Sequence, residues 1–163
     1  MTKPKKYLIY ADGACTHNGR TNAKACGSFA VYDVTHLGFD DDVHDVLVFE
    51  QPLHHESMFD VIATGRATNN MAEAQALHTA LAWACQCGLL SPGNEVHVCM
   101  DSQLVLNQFT GMYKTKNVNL RSVYTRTYDM LRKQSEKVGC DVEGLIHFHW
   151  ISGEVMKASV IAH

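Results

Sequence analysis

The sequence predicts an α/β fold: a mixed five-stranded sheet, a three-strand antiparallel meander plus parallel strands, with helices packed on it. Three observations carry this. Short apolar runs follow one another near the start of the chain, which predicts strands joined as a meander. Helical patterns then alternate with single strands, which predicts β-α-β units and parallel pairing. Glycine, proline and asparagine clusters fall between these runs, where turns are needed.

Taken in order, Tyr7-Leu8-Ile9-Tyr10-Ala11 is a short strand that delivers Asp12 at its end. Gly13, Asn18 and Gly19 mark a turn-rich segment, and Gly27-Ser28-Phe29-Ala30-Val31-Tyr32 is a second strand. Val46-Leu47-Val48-Phe49 is expected as the third. The stretch from Gln51 to Thr68 is long for a connection, and either a flap over the site or an extension of the sheet edge is expected there. A helix should run from near Asn70 to about Cys87, with Asn69 or Asn70 as its N-cap and Gly88 as its stop. Met71, Ala74, Leu77 (or His78) and Leu81 give it one apolar stripe.

Ser91-Pro92-Gly93-Asn94 is a turn, and Glu95-Val96-His97-Val98-Cys99-Met100 a buried strand ending at Asp101. A short helix from Ser102 to about Phe109 is broken by Gly111, and a longer one from Leu120 to about Val138 ends at Gly139. Leu145-Ile146-His147-Phe148-His149-Trp150-Ile151 is the last strand, with Ile146, Phe148 and Trp150 on one face. A terminal helix is expected after it. With 163 residues and no repeat, linker or low-complexity segment, one domain spanning 1–163 is expected.

Hydrophobic content of 46% and charged content of 19% are ordinary for a soluble globular chain. No apolar run approaches the roughly 20 residues that cross a bilayer. The basic start, Met1 to Lys6, lacks the apolar stretch of a secretory signal. A cytoplasmic location, no membrane association and a monomer are therefore the expectations. Six cysteines contain no Cys-x-x-Cys pair, which favours reduced thiols over disulfides or zinc. His54-His55 and His147-x-His149 lack a third ligand at helical spacing, which argues against a histidine metal site.

The net charge of −3 does not mark a nucleic-acid binder, but its distribution is uneven. Residues 33–60 hold eight acids and no Lys or Arg, whereas residues 102–138 hold seven Lys/Arg against two acids. That basic stretch is either a face that holds phosphates or a solvated helix face.

Three acids stand where strands end or helices begin. They are Asp12 in Tyr10-Ala11-Asp12-Gly13-Ala14-Cys15, Glu73 in Thr68-Asn69-Asn70-Met71-Ala72-Glu73, and Asp101 in Val98-Cys99-Met100-Asp101-Ser102-Gln103. A less clear fourth position lies near the C-terminus. Carboxylates so placed can converge on one cleft, and converging carboxylates repel one another unless cations neutralise them, so divalent metal is implied. Each alone would be an ordinary surface or capping acid.

Together these motifs resemble ribonuclease H of type 1. The likeness extends through Asp101-Ser102-Gln103-Leu104-Val105-Leu106-Asn107-Gln108, Gly111-x-Tyr113-Lys114-x-Lys116-Asn117-x-x-Leu120 and the Trp150 strand, over nearly the whole chain in the right order. The resemblance implies an RNase H-like fold and an endonuclease that cuts the RNA strand of an RNA–DNA hybrid. It implies two Mg²⁺ ions, with Mn²⁺ as a possible substitute, one activating water and the other stabilising the leaving 3′ oxygen. Asp12 matches the residue that bridges both metals, and Glu73 and Asp101 match ligands of one metal. Gly13, Ala14 and Cys15 match backbone contacts to ribose, and Asn18 and Asn70 match minor-groove contacts. Thr68 and Asn69 match a pocket for a DNA-strand phosphate.

The sequence departs from the best-known members twice. The basic, Trp-containing protrusion is missing, since Thr110-Gly111-Met112-Tyr113-Lys114 runs straight into Lys116-Asn117, as in a shorter, archaeal-like branch. Substrate grip then falls to Lys114, Lys116 and the helix carrying Arg121 and Arg126, or to a partner. The family's fourth acid, usually Asp, is also absent, because no Asp follows Asp141. The remaining choices are His163, Glu154, a water, or none; an imidazole suits Mn²⁺ better than Mg²⁺. Two other readings compete with a hybrid-specific ribonuclease. One is a catalytically weak or silent domain that binds hybrid or duplex nucleic acid. The other is a different enzyme of the same fold, an exonuclease or integrase-like transferase, which the Thr-Asn-Asn-x-Ala-Glu segment disfavours.

Overall fold

A computed structural model describes residues 3–16, 24–37, 42–47, 49–59 and 68–156. Its centre is a five-stranded sheet in the order β3-β2-β1-β4-β5. The strands are β1 (Lys6–Thr16), β2 (Lys24–Asp33), β3 (His54–Phe59), β4 (Glu95–Met100) and β5 (Ile146–Trp150). β1 pairs antiparallel with β2 from Tyr7↔Asp33 to Thr16↔Lys24, and β2 pairs antiparallel with β3. β1 pairs in parallel with β4 from Lys6↔Glu95 to Tyr10↔Cys99, and β4 in parallel with β5. This is the mixed sheet expected from the sequence.

Helices cover both faces. Ile9, Phe29, Val31, Val96, Val98 and Met100 pack against α2 (Asn69–Gln86), α3 (Gln103–Phe109) and α4 (Val118–Val138). The alternate residues Leu8, Tyr10, Ala30, Tyr32 and Cys99 form a second core with Val43 and Leu47 of α1 (Val43–Leu47) and Met156 of α5 (Gly153–Met156). Period-two alternation along β1 therefore buries both of its faces, which is why its sequence is almost continuously apolar. α2 is also buried on most of its surface, through Ala72, Ala74, Ala76, Leu77, Ala80, Leu81 and Ala84. Its run of alanines lets it lie close against the sheet.

Several local expectations change. The third strand is residues 54–59, not 46–49. Val43 and Leu47 are buried four residues apart, a helical spacing, while Val46 and Phe49 are exposed. β3 carries His, Glu and Ser, and backbone pairing to β2 at the sheet edge defines it; residues 54–59 of the 51–68 stretch thus extend the edge, and residues 60–67 lie outside the described residues. β1 does not stop at Asp12 but continues to Thr16 along β2. The N-cap of α2 is Thr68, whose hydroxyl accepts from the Met71 amide at 3.2 Å, so Asn69 and Asn70 are already helical. α4 starts two residues early, capped by the Asn117 side chain, which accepts from Leu120 N at 3.0 Å. It ends at Gly139, whose φ of 74° suits glycine. All six cysteines are free thiols, although only Cys99 is fully buried and Cys87 is exposed.

Candidate active site

The site arises where two parallel strands part. β1 and β4 stay paired up to Tyr10↔Cys99; beyond that point β1 follows β2, while the chain after Met100 turns away into α3. A crevice at the carboxyl ends of parallel strands is where ligands bind in open α/β sheets. Asp12 lies two residues past the last β1–β4 pair, and Asp101 directly follows β4. The start of α2 brings Glu73 to the same point. Ligand oxygens of Asp12, Glu73 and Asp101 all lie within 4.8 Å of one another.

Two contacts seat α2 against β1. A Cβ on Gly13 would fall 2.3 Å from the Ala72 carbonyl carbon and 2.5 Å from Glu73 N, so only glycine permits this approach. The Asn69 side-chain oxygen accepts the Cys15 amide at 2.8 Å, tying the first helical residue to the same strand. Asp101 is held from the other side. Trp150 donates its indole N–H to the Asp101 carbonyl at 3.0 Å, and Ile151 N–H bonds Met100 O at 2.9 Å. Ser102 caps α3 by accepting from Val105 N at 3.2 Å. Gly153 also abuts the site, since a Cβ there would lie 3.7 Å from Asp101 Oδ2.

The electrostatics are unfavourable for a bare cluster. Burial, above all, raises the pKa of both Asp12 and Glu73; the charge of Asp101 raises each further, and that of Asp12 adds at Glu73. Glu73 is only 8% exposed. Among the described residues, Glu73 Oε2 and Asp101 Oδ1 are buried without a hydrogen-bond partner, a costly state for carboxylate oxygens. The donors are all carboxylate oxygens, with no nitrogen or sulfur. Such a set suits a hard divalent cation, and the orphaned oxygens are the ones a cation would satisfy.

The other sequence candidates are placed as follows. Gly13, Ala14 and Cys15 continue β1 beyond Asp12, with Ala14 exposed and the Cys15 amide engaged by Asn69. Asn70 is half-buried in the first turn of α2. Lys114 and Lys116 are exposed on the short connection between α3 and α4, where the protrusion is missing. Arg121 and Arg126 are exposed on α4. The basic stretch does not make one uniform face, because Arg132 pairs with Asp129 at 2.6 Å while Arg126, Lys133 and Lys137 line a separate groove with Cys85. Asn18 and His163 lie outside the described residues. Glu154 is exposed in α5, and among the described residues it is not one of the converging three. Sequence reasoning missed the support that Trp150 gives Asp101. The register Met100↔Trp150 holds that signal, and it is visible only once β4 and β5 are paired.

This sheet order, with three acids at the parting of β1 and β4, defines an RNase H-type domain. The RNase H family model matches residues 4–156, and the chain belongs to that family. Among solved structures, the N-terminal RNase H domain of Rv2228c from Mycobacterium tuberculosis is 25% identical, covering 92% of this chain and 84% of that one at a TM-score of 0.65. LC11-RNase H1, in a complex with an RNA/DNA hybrid, is also 25% identical, covering 91% and 86% at a TM-score of 0.63. RNase H1 from the archaeon Halobacterium salinarum shares the fold at a TM-score of 0.66 and 23% identity, covering 94% and 91%. The curated bifunctional protein Rv2228c of Mycobacterium tuberculosis is 41% identical over 64 residues, which is 39% of this chain and 16% of that protein's length.

Proposed function

We propose that the protein is an endoribonuclease that hydrolyses the RNA strand of RNA–DNA hybrids, with two divalent cations held by Asp12, Glu73 and Asp101. The observation that carries this reading is the convergence of three carboxylates within 4.8 Å, two of them bearing buried oxygens with no partner among the described residues. Family membership and the hybrid bound to LC11-RNase H1 support it. Mg²⁺ is the expected ion, with Mn²⁺ as substitute; when bound, such ions supply a water nucleophile at neutral pH and stabilise the leaving oxygen.

The chain's own part is orientation and charge. Asp12 sits on a central strand, Glu73 on a buried helix, and Asp101 between Trp150 and the Ser102 cap, so the three oxygens are fixed before substrate arrives. Beyond Asp12, the exposed Ala14 and the neighbouring Gly13 present backbone to the ribose at the cut, and Asn70 faces the minor groove. Thr68 and Asn69, at the start of an 18-residue helix, offer amides to a phosphate of the DNA strand. Lys114 and Lys116 contribute charge on the side where the protrusion is lacking. A fourth ligand, where there is one, is Glu154, His163 or a water.

A cleavage assay tests the reading. The parent with Mg²⁺ or Mn²⁺ should cut a hybrid and leave the all-DNA duplex of the same sequence intact. Asp12→Asn should abolish cleavage while still binding hybrid. Equal cutting of hybrid and DNA, or parent-like turnover by Asp12→Asn, would sink the assignment.

A further inference from the structure

The face of the sheet that packs against α1 and α5 carries a group of imidazoles that the carboxylate site does not use. His97 lies on β4, and His147 and His149 on β5; the register sets His97 beside His147 and Cys99 beside His149. Cys99 belongs to the core on that face, so by period-two alternation all three histidines project to it. We propose that His97, His147 and His149 form a binding site for one Zn²⁺ ion, with Glu95 orienting His97. Along the chain, His147 and His149 offer only two ligands. Strand pairing supplies the third from β4.

Geometry is the first argument. Residues two apart on a strand stand about 6.6 Å from each other and neighbouring strands about 4.8 Å, so imidazoles on this triangle can reach one ion. His97 Nδ1 lies 2.9 Å from His149 Nε2, and the two ring centroids are 5.1 Å apart. Two Zn–N bonds of about 2.0–2.1 Å at a tetrahedral angle hold their nitrogens about 3.3 Å apart. The pair therefore has to part by only about 0.4 Å. The ring centroid of His147 is 5.0 Å from that of His97. Among the described residues only the three acids have ligand atoms that all lie within 4.8 Å of one another, so His147 has to turn its ring toward the pair. His147 is exposed and makes no hydrogen bond among the described residues, so that turn breaks none there.

The state of the rings is the second argument. A carboxylate only accepts, so His97 Nε2–H donates to Glu95 Oε2 at 3.3 Å. Such a contact fixes the tautomer and orientation of a metal-binding histidine. It leaves the Nδ1 lone pair of His97 turned toward His149. Without metal, His149 Nε2–H donates to that lone pair; with metal, the ring proton of His149 moves to Nδ1 and its Nε2 lone pair ligates. Burial, above all, holds the pKa values of both His97 and His149 below the usual imidazole range. The hydrogen bond to Glu95 opposes this at His97, while the charges of His147 and Lys6 reinforce it; at His149 those of His97, His147 and His44 do. Both rings are therefore neutral ligands at neutral pH. A set of three imidazole nitrogens suits Zn²⁺ and not Mg²⁺. Among the described residues, no active-site carboxylate is one of the groups that act on these two rings.

Isothermal titration of the whole chain with Zn²⁺, in excess Mg²⁺ to saturate the carboxylate cluster, should show one ion bound. Glu95→Gln should weaken that binding about 10–100-fold, the usual loss when the partner of a metal-binding histidine is changed. His147→Ala and His149→Ala remove ligands and should each weaken it by at least about 100-fold, the upper end of that range. Asp12→Asn alters the carboxylate cluster and Cys87→Ser the exposed thiol, and both should bind Zn²⁺ as the parent does. Zn²⁺ should also raise the thermal unfolding midpoint of the parent but not that of His147→Ala, a change at an exposed side chain. A parent that binds no Zn²⁺ would overturn the proposal, as would His147→Ala and His149→Ala variants that bind it as tightly as the parent. Loss of binding in Asp12→Asn would overturn it too, by placing the ion at the acids.

Discussion

A Cβ on Gly13 would lie 2.3–2.5 Å from the Ala72 carbonyl and Glu73 N, backbone atoms that cannot swing aside as a side chain can. The sequence marks Gly13 as a backbone contact to substrate; the structure adds that it sets the distance between Asp12 and Glu73. Gly13→Ala must push the start of α2 off β1 and carry Glu73 with it. We expect a loss of about 1–3 kcal/mol in urea unfolding and a drop in cleavage of about a hundredfold, as for an ångström-scale misplacement of a catalytic group. A variant with parent activity would show that α2 can re-seat without cost. Asn69 is a parallel case. A site residue by resemblance, it already spends its side-chain oxygen on the Cys15 amide. Residue type and order could not reveal these neighbours, because both contacts join residues more than 50 positions apart.

At the scale of elements, the legible ones announce themselves by periodicity and caps. α2 and α4 were readable from Leu and Ala spacing and from Gly88 and Gly139, and β1 and β4 from their apolar runs. β3 was not, because an edge strand rich in His, Glu and Ser is specified by the backbone groups β2 offers it rather than by its own apolar pattern. Residues 46–49 misled for the converse reason: a short apolar run reads equally as strand or helix, and burial of Val43 and Leu47 decides for helix. The cap of α2 lies one residue before Asn69 and two before Asn70. Thr68 rather than Asn69 or Asn70 accepts the Met71 amide. Thr68→Ala should therefore cost about 1 kcal/mol in unfolding, with Thr68→Ser restoring most of it. Because the same turn carries Glu73, KM for hybrid should be compared in both variants. Full stability in Thr68→Ala would assign the cap elsewhere.

For the molecule as a whole, the parting of β1 and β4 gathers negative charge at the edge of the core, and that has a cost visible in stability. Asp12 and Glu73 have pKa values raised in the folded protein, by burial first and by neighbouring carboxylates next. Groups with raised folded pKa values bind protons more tightly when folded. Their contribution is fully present below the unfolded carboxyl values, about 4, and is lost as pH rises through the raised folded values. At neutral pH without divalent cation the cluster therefore works against the fold. In EDTA at pH 7.5, Asp12→Asn should unfold at a higher temperature than the parent, and the gap should close toward pH 3, below the unfolded carboxyl values, where the carboxylates are protonated in both states. Saturating Mg²⁺ at pH 7.5 should raise the parent's midpoint more than the variant's, because ions held as proposed would bind the folded cluster and not the unfolded chain. Calorimetric scans of both proteins at the two pH values, with EDTA and with Mg²⁺, read all three effects. If the midpoint of Asp12→Asn in EDTA falls below the parent's at pH 7.5, the buried carboxylates do not oppose folding, and another group must satisfy Glu73 and Asp101.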